Sequence, residues 1–196
     1  MPALQNDTSF ARLVSLACHD VRTPLATVHG FTTTLARTTE LAPPADRYVE
    51  MIDAASRQIA ELLDELSLAA RIEAGRYDPI LREAETLALA HAAAERLGEE
   101  RVNISGEGAP VETDIDAVDR GVSALIQATL RHGGLDEVDV LVRGKEIDVS
   151  GVTDSSARVV LGQDLRDLGA AVAVRVIEAL GGAVSVSGQT LTIRLA

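Results

Sequence analysis

Three side chains packed into five consecutive residues could act together chemically: His19, Asp20 and Thr23. A neutral imidazole is a nucleophile, and a reference pKa of about 6.5 leaves most of it neutral near pH 7. An acid next to it can hold one ring nitrogen protonated, which leaves the other nitrogen to attack. In a helix Thr23 lies one turn beyond His19 and shares its face. The set suits a histidine that receives a group from another protein. The plainer reading is a surface histidine on a bundle helix beside a tolerated proline.

The surrounding pattern decides which way the histidine points. Val14, Ala17, Val21, Pro24, Val28, Phe31 and Leu35 recur at spacings of three and four, the mark of a helix burying one seam against a partner, and this stripe is the expected core face. At roughly 100° per residue His19 projects about 170° from the middle of the stripe, with Thr23 about 40° and Arg22 about 60° away from His19 itself. The imidazole is therefore expected to face outward. Pro24 inside such a helix removes a hydrogen bond to the Asp20 carbonyl and costs about 3 kcal/mol unless the site uses the bend.

The run His19-Asp20-Val21-Arg22-Thr23-Pro24-Leu25, preceded by Leu16-Ala17 and followed by Gly30-Phe31, resembles the H-box of two-component histidine kinases, whose pattern is His-Glu/Asp-x-Arg-Thr-Pro-Leu. The resemblance implies that His19 carries a phosphoryl group, Asp20 serves as its general base and Thr23 helps position water for phosphatase activity. It also implies a homodimer whose paired hairpins form a four-helix bundle. Arg22 could hold phosphate or a partner's acid, and Arg22 and Pro24 are the expected partner-binding residues.

Composition narrows the remaining choices. The chain has 196 residues, enough for one large or two small domains with a real core, and only 2 % aromatics, so that core must be aliphatic. A net charge of −12 argues against nucleic acid or anionic lipid as the main partner, because phosphate backbones would be repelled. The single cysteine, Cys18, precludes an internal disulfide framework and reads as a small residue beside the seam. His29, His91 and His132 lack metal-ligand spacing with one another or with Cys18 and read as structural or surface residues. No secretory leader or spanning segment is visible, since the most apolar region, Leu168 to Val186, is broken by Arg175, Glu178 and Gly181-Gly182. The expectation is a soluble, cytoplasmic protein.

Two long helices are expected first. One starts near Asp7-Thr8 and fades around Arg37 to Glu40. The second runs from about Ala45 to Ala74, stops at Gly75 and carries a heptad seam of Ile52, Ala55, Ile59, Leu62, Leu66 and Ala69. Further apolar residues, Leu63 and Ile72 with Phe10, Leu13 and Leu25, widen the stripes beyond what one hairpin can bury, which calls for a second hairpin. After Gly75 the period changes. A strand or lead-in over Asp78 to Glu85, a helix over Leu87 to Leu97 and a strand over Val102 to Ser105 lead to a helix over Ile115 to His132. A hairpin of Val138 to Val142 and Ile147 to Val149 follows, then a helix over Ala170 to Leu180 and strands over Ala183 to Ser187 and Thr190 to Leu195. The expected class is α+β: a helical hairpin over residues 1–76, then an α/β sandwich over 77–196.

The second half is similar to the ATP-binding domain of histidine kinases, with departures. Leu125 to His132 is similar to the N-box helix, but Ala128, or Gln127 if shifted by one, stands where the resemblance implies a magnesium-binding Asn. The first glycine box, Asp-x-Gly-x-Gly in the family, falls on Asp154-Ser155-Ser156-Ala157-Arg158; of the second, only Gly169 remains after Asp167-Leu168. Glycines let backbone amides approach phosphates, and Mg²⁺ needs oxygen ligands. The domain is expected to keep the fold and lose the nucleotide, with Asp154 read as an ordinary turn residue. The whole then resembles dimeric histidine phosphotransferases, which implies response-regulator receiver domains as partners and Mg²⁺ on the receiver, with no cofactor on this chain. Two alternatives stay open: a kinase with an atypical nucleotide site that autophosphorylates His19, and a non-catalytic scaffold that docks receivers.

Overall fold

The structure, a computed structural model, describes the backbone of residues 3–38 and 41–196 and the side chains of 10–37 and 41–196. It divides into two compact units, Met1–Tyr77 and Asp78–Ala196. The first is a pair of helices, α1 (Ala3–Thr38) and α2 (Ala45–Glu73). At 1.5 Å per residue α1 is about 54 Å long. Its backbone is helical from Ala3, ahead of the start expected at Asp7-Thr8, and Thr39 and Glu40, where it was expected to fade, lie outside the described residues. α2 ends where the sequence supplies Gly75, whose φ of +62° suits a residue without Cβ.

The expected core stripe is not what closes this hairpin. Val21, Val28, Phe31 and Leu35 on α1 and Ile52, Ile59, Leu62 and Leu66 on α2 are all exposed. The helices meet instead through positions 11, 15, 18, 22, 25, 29 and 32 of α1 and 49, 53, 56, 60, 63, 67 and 70 of α2, which are buried or half-buried. Both sets alternate steps of four and three, so each helix carries two heptad faces. The closing face is built of small and polar residues, among them Ala11, Ser15, Cys18, Thr32, Ser56 and Ala70. Leu25, Val49 and Leu63 join it, whereas Val21, Val28, Phe31, Leu35, Ile52, Ile59, Leu62 and Leu66 do not.

The second unit is a mixed five-stranded sheet, β2-β4-β5-β7-β6 in spatial order, with a separate two-stranded piece, β1-β3. Its elements are β1 (Arg82–Glu85), α3 (Thr86–Leu97), β2 (Val102–Gly108), β3 (Pro110–Thr113), α4 (Ile115–Gly133), β4 (Val138–Gly144), β5 (Glu146–Ser150), α5 (Asp154–Val160), α6 (Leu168–Ala179), β6 (Ala183–Ser187) and β7 (Thr190–Arg194). β2 pairs parallel with β4, and the other pairings are antiparallel. The core sits between one sheet face and α3, α4 and α6, where Val140, Val142, Ile147, Val149, Leu191 and Ile193 meet Val118, Val122, Leu125, Ile126 and Ile177. A Cβ on Gly121 of α4 would lie 3.7 Å from Ala173 of α6, so the two helices pack with little room to spare there.

Three features depart from the sequence expectation. β2 continues past Gly106, because that glycine, at φ +105°, is the residue a strand needs there: a Cβ would lie 2.0 Å from the Val142 carbonyl oxygen. β3 was not anticipated. It pairs with β1 in a register that sets Glu83 opposite Glu112, and its four residues carry too short a pattern to read. α5 was not anticipated either: Asp154 begins a helix rather than a turn, capped by a reciprocal Thr153–Ser156 box.

Candidate functional site

His19 and Asp20 stand on the exposed side of α1, with side chains 76 % and 68 % exposed. The imidazole Nδ1 lies 3.3 Å from Asp20 Oδ1. With the proton on Nδ1 this contact is a donated hydrogen bond, and Nε2 keeps its lone pair. Thr23, one turn on, is exposed, and its carbonyl accepts from the Thr27 hydroxyl at 3.3 Å. Pro24 is exposed within the continuous helix. It has no N–H to offer the Asp20 carbonyl, which leaves that oxygen without a helix donor beside the histidine.

Arg22 is placed differently from the expectation. It turns toward α2, and its guanidinium donates to Asp64 Oδ1 at 2.7 Å, so it spans the hairpin rather than standing free beside His19. Asp64 was missed because a heptad search looks for apolar residues, and a charged residue at its edge looks like ordinary surface.

A second polar cluster lies farther along the same closing face. Asp53, 14 % exposed, is approached by His29 Nδ1 at 2.9 Å, although the angle is not that of a hydrogen bond. Its Oδ1 accepts from the hydroxyls of Thr32 and Thr33 at 3.4 Å each, and Arg57 bonds to Oδ2. Burial pushes the Asp53 carboxyl up, but the charge and hydrogen bond of Arg57, with His29 and Thr33, outweigh this and hold it below the usual carboxylate range. A lowered acid contributes stability above its unfolded pKa of about 3.9 and loses it as pH falls through the folded value. Urea melts of the protein should therefore weaken in acid below about pH 4, and Asp53→Asn should remove that part of the slope.

In the second unit, the segments similar to nucleotide-binding boxes come together around α4 and α6. Ala128 is buried in the core, and Gln127 points to solvent. α5 buries Ser156, Val159 and Val160 and packs on α4. Asp167, with a side chain 7 % exposed, caps α6 by accepting from the Ala170 N–H at 3.1 Å. Its other oxygen faces Arg131 at 3.2 Å and His132 Nε2 at 3.0 Å, both from the end of α4. This carboxylate was not expected from the sequence, though the Asp-x-x-Ala start of an apolar helix is an N-cap signature. Among the described residues no group of three His, Cys, Asp or Glu gathers in a way that could hold a metal ion, and no helix is long and apolar enough to cross a membrane.

A long antiparallel hairpin with an outward histidine, followed by a helix-backed mixed sheet, is a fold like that of histidine kinases. Residues 11–75, the stretch that holds most of α1 and all of α2, match the His Kinase A (phospho-acceptor) domain family. Full-length ShkA in complex with AMPPNP is similar over 93 % of this chain and 44 % of its own, with a TM-score of 0.69 and 20 % identity. The present chain thus spans less than half of that protein. The Acinetobacter baumannii histidine kinase AdeS is similar over 91 % of this chain and 97 % of its own, with a TM-score of 0.61 and 15 % identity. These likenesses are of fold. Comparison with curated proteins gave no match.

Proposed function

We propose that the protein is a histidine phosphotransferase of a two-component phosphorelay, taking a phosphoryl group from one receiver-domain aspartate onto His19 and passing it to another. The observation that carries this reading is the His19 ring, 76 % exposed, with Asp20 at Nδ1. Nε2 attacks the phosphorus of an aspartyl phosphate; the N–P bond forms as the P–O bond to the donor carboxylate breaks, and that carboxylate leaves as an anion. The ring now carries positive charge, which Asp20 stabilises by accepting from Nδ1–H or by taking its proton. The reverse sequence delivers the group to the acceptor aspartate. Mg²⁺ belongs to the receiver in this scheme, and the chain supplies position and charge. Thr23 then serves as the water-positioning residue, and Arg22 holds the hairpin beneath the site through Asp64.

A nucleotide plays no part in this reading. Ala128 has no oxygen for Mg²⁺, Gln127 faces away, and α5 fills with buried side chains the stretch where a glycine loop would leave room for phosphates. The exposed aliphatic faces of α1 and α2 support a homodimer in which two hairpins make a four-helix bundle.

The deciding experiment offers two donors to the purified protein: a receiver domain phosphorylated on its aspartate, and ATP labelled at the γ-phosphate. The proposal expects label on His19 from the receiver and none from ATP. Label from ATP alone would replace it with an autophosphorylating kinase. Label from neither, with receiver binding intact, would leave a scaffold.

A further inference from the structure

Donors able to seat an anion gather at the start of α6, and there they hold one of the chain's own side chains. Arg131 and His132 stand at the end of the helix similar to an N-box, and Asp167 begins the remnant of the second glycine box. A guanidinium, an imidazole and the first free amides of a twelve-residue helix are together the donor set that recognises phosphate. All three converge on one buried carboxylate: Oδ1 takes the Ala170 amide at 3.1 Å, and Oδ2 takes Arg131 at 3.2 Å and His132 at 3.0 Å. We infer that Asp167 is a resident anion, standing in for a nucleotide phosphate and excluding it by occupancy and by charge.

The inference goes beyond the missing magnesium ligand, and it deepens the phosphotransfer reading only in its nucleotide-free part. A unit that had merely lost its glycines would leave Arg131, His132 and the α6 N-terminus facing solvent, ready for any anion. Here one bond from each is spent on Asp167, with the Arg131 side chain 59 % exposed beyond it. They also tie α4 to α6, so the carboxylate supplies the cross-link that a bound phosphate would otherwise provide. Like charge at close range would further repel an incoming phosphate.

The test uses the full chain and inorganic pyrophosphate. Asp167→Ser and Asp167→Asn each keep a helix-capping oxygen and remove the charge. Wild type should bind pyrophosphate only weakly by titration calorimetry. Each folded variant should bind at least about tenfold tighter than wild type, the effect of one charge-assisted hydrogen bond made available, and adding Arg131→Ala should abolish the gain. Wild-type binding as tight as the variants', or folded variants that gain nothing, would overturn the inference. If both substitutions unfold the unit, pyrophosphate but not chloride at equal ionic strength should restore it, and failure to do so counts against the inference equally. None of these outcomes touches the transfer from a receiver to His19, which stands or falls by the two-donor experiment.

Discussion

His19→Gln should accept no label from a phosphorylated receiver, while its circular dichroism and its association state match those of the wild type. Glutamine keeps a polar side chain of similar reach but has no nucleophilic nitrogen, so the loss is expected to reach background rather than a reduced rate. Because the side chain is 76 % exposed, truncation leaves no cavity and no orphaned buried group, and folding should not change. The companion variant Asp20→Asn separates nucleophile from base: it keeps an oxygen near Nδ1 but cannot take a proton. Its transfer rate should fall by about 10² to 10⁴, the usual contribution of a positioned base, with the same residue labelled at the end. Acid-labile, base-stable label persisting on His19→Gln would move the acceptor elsewhere and dismantle the mechanism.

Val28→Glu combined with Ile59→Glu should convert a dimer to a monomer by light scattering behind a sizing column at micromolar concentration. Both side chains are exposed on the aliphatic faces of α1 and α2. Each large aliphatic side chain removed from water contributes about 1.5–3 kcal/mol, and two copies of the hairpin would bury many of them. A glutamate at either position forfeits that gain and places an unpaired charge in the interface, and symmetry doubles the penalty. The second unit has its own core and should stay folded. A wild-type chain that remains single at high concentration would remove the bundle from the proposal.

The sequence spoke clearly where its signals were periodic. Two long amphipathic helices, the break after Gly75 and most later elements follow from spacing and from turn residues. What it ranked wrongly was the face. An apolar search picks the richest stripe, and in α1 the richest stripe, Val21 to Leu35, is left uncovered within the hairpin, whereas Cys18, Arg22, His29 and Thr32 close it. Polar seams are invisible to that search because the signal it measures is hydrophobicity. α5 was hidden for a related reason: its seven residues are too few for a periodic stripe, and its one local mark is the Thr-x-x-Ser cap at Thr153–Ser156. The roles of Arg22 and Asp167 depend on partners 42 and 35 residues away in sequence, which no local pattern encodes.

Cys18 sits 2 % exposed in the closing face, one residue before the imidazole on the outer side. A thiol in that position reacts only while the two helices stand apart. Since no other sulfhydryl exists in the chain, alkylation kinetics clock that breathing without any label being introduced. The chain thereby carries its own stopwatch, mounted a single peptide bond from the residue whose timing matters.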